Sequence, residues 1–136
     1  MVQLIYGPKG SGKTKRLISM ANAELEATTG DVVFVDDDKR YMYDVKRQVR
    51  FVDVTEYNVN NEERLFGFIC GILSQNFDIT AIYIDAFMHM IGKKPCEIEE
   101  LFCNLKDIAD KREIKLVINI SGKTEETPDF LKDYII

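Results

Sequence analysis

Gly7-Pro8-Lys9-Gly10-Ser11-Gly12-Lys13-Thr14 is the stretch on which the reading of the whole chain turns. It fits G-x-x-x-x-G-K-[ST], the pattern of a phosphate-binding loop. Its glycines let the backbone turn tightly and bring successive N–H groups up to an anion with no Cβ in the way. Lys13 then reaches the β- and γ-phosphates, and the Thr14 hydroxyl is a ligand for Mg²⁺. A helix opening directly after the loop adds its positive N-terminal end to the same phosphates. On this pattern Gly7, Pro8, Lys9, Gly10, Ser11, Gly12, Lys13, Thr14 and Lys15 are the candidate nucleotide-binding residues.

The pattern carries weight only between a strand and a helix. Val2-Gln3-Leu4-Ile5-Tyr6 reads as a short, mostly apolar strand. From Lys13 to Thr29, Leu17, Ile18, Met20, Ala21 and Leu25 recur at helical spacing, and Gly30 is placed to cap the C-terminus.

A chain of 136 residues is expected to form a single domain, residues 1–136, with one sizeable core. Hydrophobic content of 46% with 30% charged residues describes an ordinary globular protein. The net charge of −5 argues against a generic nucleic-acid-binding surface. No apolar run approaches the roughly 20 residues that span a bilayer, so no membrane role is expected. The N-terminal residues run straight into the strand and the loop, which argues against a signal peptide. Cys70, Cys96 and Cys103 are odd in number and lack C-x-x-C spacing, and His89 is the single histidine. These features favour reduced thiols in a cytoplasmic protein over a zinc site.

Further along, Val32-Val33-Phe34-Val35 is the continuous run of a strand buried on both faces, and it ends in Asp36-Asp37-Asp38. Phe51-Val52-Asp53-Val54 reads as a short strand at the sheet edge. Asn60 or Asn61 is placed to cap the next helix, which buries Leu65, Phe66, Phe68, Ile69, Ile72 and Leu73. Gly67 and Gly71, one turn apart inside it, imply close packing against a neighbour. Ala81-Ile82-Tyr83-Ile84-Asp85 is an apolar strand ending in aspartate, the Walker B pattern, whose carboxylate holds Mg²⁺. An amphipathic helix is expected from Glu97 to Arg112 and a last strong strand from Lys115 to Ile120. The tail, Pro128 to Ile136, reads as one helical turn and a short edge strand. Ser121-Gly122-Lys123-Thr124 repeats the letters of the loop's end, but position 117 is Val117, so it is no second loop.

Strands alternating with helices predict an α/β fold with a doubly wound, mainly parallel sheet of five strands. Ligands of such sheets bind outside the carboxyl ends of the strands. That rule gathers the loop, Asp36 to Arg40, Asp53 to Tyr57, Asp85 to His89 and Ser121 to Glu125 at one edge, and sends Arg112 to the other.

With these features in this order, the chain resembles a minimal member of the RecA-like branch of P-loop NTPases. The resemblance implies that the last strand lies between the P-loop strand and the Walker B strand. It implies a water-polarising carboxylate from the end of the Val32–Asp36 strand, assigned to Asp37 or Asp38, where the family usually has glutamate. It places Ser121 at a nucleotide-sensing position where such proteins often carry glutamine. The expected activity is Mg²⁺-dependent ATP binding with slow or partner-stimulated hydrolysis, GTP being the other candidate nucleotide. Lys13, Asp37 and Asp38 are then the catalytic candidates, and Thr14 and Asp85 the metal ligands. A homo-oligomer or protein partner would supply an arginine.

Two alternatives stand beside this. One is a small nucleoside kinase similar to thymidine kinase, against which stand Ala86 in place of a glutamate and the lack of a cysteine-rich zinc lobe. The other is a nucleotide-dependent switch without turnover. The basic cluster Lys39, Arg40, Lys46, Arg47 and Arg50, interleaved with Tyr41 and Tyr43, reads as a solvated face before a nucleic-acid contact. His89 reads as a surface residue before a lining of the nucleotide site.

Overall fold

Five apolar runs become five strands, and the two-residue period of each decides what faces which helix. The computed structural model describes every residue from Met1 to Ile136. Its elements, in order, are β1 (Val2–Gly7), α1 (Lys13–Ala27), β2 (Asp31–Asp36), β3 (Arg50–Asp53), α2 (Glu62–Ser74), β4 (Ile79–Ile84), α3 (Phe87–Ile91), α4 (Glu99–Arg112), β5 (Lys115–Ser121) and α5 (Asp129–Lys132). The strands pair in the order β1-β5-β4-β2-β3, every pair parallel. β5 therefore lies between β1 and β4, as the RecA-like resemblance implies, and β3 forms the far edge.

Alternate side chains on a strand point to opposite faces. Val33 and Val35 of β2, Ile82 and Ile84 of β4, and Leu116, Ile118 and Ile120 of β5 join the larger core cluster, 25 buried residues that also include Leu65, Ile69 and Leu73 of α2 and Leu101, Phe102 and Leu105 of α4. Their neighbours Val32, Phe34, Ala81, Tyr83 and Val117 join a cluster of 11 with Leu17, Ile18 and Ala21 of α1. The second face is thus the thinner one, covered chiefly by the helix that follows the glycine-rich loop.

Local chemistry fixes several helix ends. Asn61 caps α2, its side chain accepting from the Arg64 N–H at 2.8 Å. A 3₁₀ turn at Pro95–Glu97 precedes α4, so the regular helix begins at Glu99 rather than Glu97. Glu99 and Glu100 at its start and Lys111 and Arg112 at its end complement the helix dipole.

Two glycine readings are corrected. α1 ends at Ala27 with Thr28 as its C-cap, so Gly30 caps nothing. Gly30 lies where a Cβ would stand 2.2 Å from Thr80 Cγ2 and 2.4 Å from the Asp78 carbonyl. The close packing inferred for Gly67 and Gly71 is absent, for a Cβ at either would meet nothing within 4 Å.

After α5 the chain returns to β1. Leu4 N–H donates to Tyr134 O at 2.8 Å, Ile136 N–H donates to Leu4 O at 2.9 Å, and Ile135 forms a parallel bridge with Leu4. No helix is long and apolar enough to cross a membrane.

Candidate functional site

The loop leaves β1 at Gly7 and enters α1 at Lys13. Gly10 and Gly12 have φ of 80° and 84°, the left-handed region in which an L side chain is strained. A Cβ at either would meet nothing within 4 Å, so the requirement there is conformational, not spatial. Ser11 Oγ donates to Pro8 O at 2.7 Å, and Lys13 Nζ donates to the same carbonyl at 2.8 Å. Lys13 is thereby folded over the loop. Burial lowers the pKa of its ammonium, and the nearby Asp85 carboxylate opposes the shift.

The period that sends Val32 and Phe34 toward α1 sends Asp36 there too, at the end of β2. By the same count Asp85 follows Ala81 and Tyr83, and Asn119 follows Val117. Three polar side chains from three neighbouring strands are thus delivered to the face and edge that carry the loop, and all three are buried. Asp85 Oδ1 accepts from Asn119 Nδ2 and from the Ala86 N–H, each at 2.9 Å. Ala86 has φ 54°, a strained conformation for alanine that starts α3 immediately beyond the strand. Asp36 Oδ1 accepts from the Asp37 N–H at 2.8 Å.

Two buried atoms in this group, Asp36 Oδ2 and Asn119 Oδ1, have no hydrogen-bond partner. Each such atom costs about 1–3 kcal/mol, so their occurrence on one cavity wall calls for a reason. Burial, with the Asp85 and Asp37 carboxylates nearby, pushes the Asp36 carboxyl up to about 8.

These elements open on one cavity of about 1300 Å³. Of the sequence candidates, Lys9, Gly10, Gly12, Lys13, Thr14, Lys15, Asp37, Asp38, Asp85 and Ser121 line it. Gly7, Pro8 and Ser11 shape the loop and are not on the wall. Asp36 and Arg40, which the strand-end rule places at this edge, line it as well, and so do Asn119, Tyr41, Lys93 and Lys94, which the sequence did not pick out as cavity residues. His89 also lies on this wall, paired through Nδ1 with Asp37 Oδ2. Asp38 is committed to its own turn, accepting from the Arg40 N–H at 2.8 Å. A smaller concavity of about 400 Å³, lined by Tyr57, Asn58, Val59, Arg64 and Phe68, gathers no such set of polar groups.

The remaining candidates fall away from the cavity or are neutralised. Arg112 donates to Leu73 O at 2.6 Å, at the opposite sheet edge, as the topology requires. In the basic cluster, Lys39 pairs with Glu56, Arg40 with Asp38, Lys46 with Glu26 and Arg50 with Asp31; Arg47 has no ion pair. This is the pattern of a solvated face.

The donor set suits a hard cation. The Thr14 hydroxyl, the Asp85 carboxylate and the two orphaned atoms all offer oxygen. The three cysteines are free and none lines the cavity.

No protein-family model and no curated protein matches the chain. Among solved structures it is similar to the crystal structure of flagellar accessory protein FlaH from Methanocaldococcus jannaschii, with a TM-score of 0.60 and 12% sequence identity. The match covers 97% of this chain and 65% of that one, so the chain spans under two thirds of its neighbour. At this identity the likeness establishes the fold alone, a five-stranded parallel α/β core, and leaves activity to be argued from the site.

Proposed function

We propose that the protein binds Mg²⁺-ATP in this cavity and hydrolyses it slowly, or faster when a partner completes the site. The observation that carries the reading is convergence: the glycine-rich loop, the Asn119-held Asp85 and two unsatisfied buried oxygens share one wall. The loop amides, Lys13 and the start of α1 would hold the phosphates. Thr14 and Asp85 would hold Mg²⁺, which neutralises charge on the β- and γ-phosphate oxygens when bound. Asn119 fixes the Asp85 carboxylate so that its second oxygen is free to face a ligand. Ser121, where β5 leaves the sheet, would contact the γ-phosphate end. Asp37, on the same wall, would help to orient the attacking water, directly or through a neighbour. GTP stands as the other candidate nucleotide in this reading.

Slow turnover follows from what the wall lacks. Arg112 is at the wrong edge, and Arg40 is held by Asp38 and stacked over the Tyr41 ring at 5.7 Å. A second copy or a partner is the proposed source of a transition-state arginine, worth about 10³–10⁵ in rate where it has been measured. Ala86 brings no carboxylate beside Asp85, so the nucleoside kinase alternative gains no support. The free thiols suit a cytoplasmic location.

Thermal denaturation with ATP, GTP and ADP, each with and without Mg²⁺, tests the proposal. A ligand at about 100 times its Kd stabilises by about 2.7 kcal/mol, a shift of several degrees for a chain of this size. Lys13→Ala should abolish the shift while leaving the unliganded Tm in place. If no nucleotide shifts the parent, or the variant shifts equally, the reading is wrong.

A further inference from the structure

Sequence alone favours His89 as a surface residue, yet the structure sets it against Asp37 on the cavity wall. The two come from neighbouring strands. Asp37 directly follows β2, and His89 sits on α3 just beyond β4, so the parallel pairing of β2 with β4 brings them together. α3 is short but anchored. Phe87, Met90 and Ile91 are buried in the larger core with Met88 packed against it, while Phe87, Met88 and His89 line the cavity. Left-handed backbone at Ala86 and Gly92 closes the helix at both ends. The base of the His89 side chain is therefore held in place although the side chain is 82% exposed.

We propose that His89, oriented by Asp37, is the base that accepts the proton of the water attacking the γ-phosphate; this rests on the Mg²⁺-ATP reading above. The assignment follows from the hydrogen-bond inventory. An ionised carboxylate only accepts, so the imidazole Nδ1 carries the hydrogen toward Asp37 Oδ2. In the neutral ring the lone pair then lies on Nε2, the tautomer a base requires. Asp37 is the sheltered member of the pair, with its side chain 16% exposed, and His89 the accessible one. Of the neighbouring carboxylates, Asp38 accepts from the Arg40 N–H, and Asp36 is buried, accepting from the Asp37 N–H through Oδ1 with Oδ2 left unpartnered. An aspartate is also a methylene shorter than the glutamate usual in RecA-like proteins, and the imidazole restores reach. In the step itself the water oxygen bonds to the γ-phosphorus while the bond from that phosphorus to the bridging oxygen breaks. The electron pair leaves on ADP, and the water's proton passes to Nε2. The imidazolium is stabilised by Asp37 and returns the proton to solvent. Asp37 is on this account a positioning residue.

The test is phosphate release from Mg²⁺-ATP by the parent, His89→Ala, His89→Gln, Asp37→Asn and Asp37→Glu, with ATP affinity measured separately by equilibrium dialysis. His89→Ala should lower kcat about 100-fold with affinity within about twofold of the parent. Added imidazole should restore part of the rate of His89→Ala. His89→Gln keeps a donor for Asp37 without a base and should be equally slow. Asp37→Asn should lower kcat about tenfold or more at unchanged KM, and Asp37→Glu should recover most of it. Parental turnover by either His89 variant overturns the inference, as does a parent that binds ATP and never releases phosphate. A parent that fails to bind ATP removes the nucleotide reading and this inference with it.

Discussion

Asp36→Asn should flatten the pH dependence of stability. The Asp36 carboxyl is displaced from 3.8 to about 8, first by burial and then by Asp85 and Asp37. Between these values the folded chain holds a proton that the unfolded chain has lost. Stability therefore falls as pH rises from about 4 to about 8 and levels off above that. With 1.36 kcal/mol for each pKa unit, the interval amounts to roughly 5–6 kcal/mol if nothing relaxes. The carboxylate lies on a cavity wall that water reaches, so about 2–3 kcal/mol is the expected measurable part. Asparagine keeps the shape and still accepts from the Asp37 N–H, the 2.8 Å bond that Asp36 makes. Its amide placed where Oδ2 has no partner adds a cost independent of pH, so the slope is diagnostic and the intercept is not. Urea unfolding of both chains at about pH 5, 7 and 9, with m unchanged, measures that slope. The parent should lose about 2–3 kcal/mol more than the variant across the range. Parallel curves would refute the burial argument for Asp36.

Asp85→Asn should weaken ATP binding by tenfold or more in Mg²⁺ and by much less without it, because charge is removed and shape kept; equal losses in calorimetric titrations would make Asp85 structural. Gly30→Ala should destabilise by about 2–3 kcal/mol, since its Cβ would collide with Thr80 Cγ2 and the Asp78 carbonyl. Gly67→Ala and Gly71→Ala, with open space at both positions, should each stabilise by about 0.5–1 kcal/mol. Thermal unfolding separates the two outcomes, and a stabilised Gly30→Ala chain would contradict the close approach. If a second copy supplies the arginine, turnover per molecule should rise with protein concentration; a rate flat against concentration removes that partner.

What the sequence could disclose depended on how local the cause was. The loop needs particular residues at fixed offsets, so Gly10, Gly12, Lys13 and Thr14 were legible, and strand and helix periods made the fold legible with them. Asn119 was passed over although its signal was present, and Asp36 was placed at the ligand edge without being read as a buried wall residue. Each is a polar residue at or near the end of an apolar strand, on the side chain parity that faces α1. Counting by twos from Phe34 and Val117 identifies both. Gly30 misled because a glycine after a helix reads as a cap, whereas its cause is Thr80, some fifty positions away on β4. His89 and Asp37 were each visible alone. Their pairing follows only once β2 and β4 are known to be neighbours, a fact of topology that no local pattern holds.

The strand that feeds the loop has a peculiar dependence. β1 pairs on one side with β5 and on the other with the bridge at Ile135, both from the far end of the chain. Neither contact is rewarded until a very long loop has closed, so the entropy of closure precedes any gain. The strand that feeds the phosphate-binding loop thus has both of its strand partners only once those long closures are made. A nucleotide that binds only the closed arrangement acts on the chain as a latch, slowing the escape of the C-terminal strand more than it hastens its arrival.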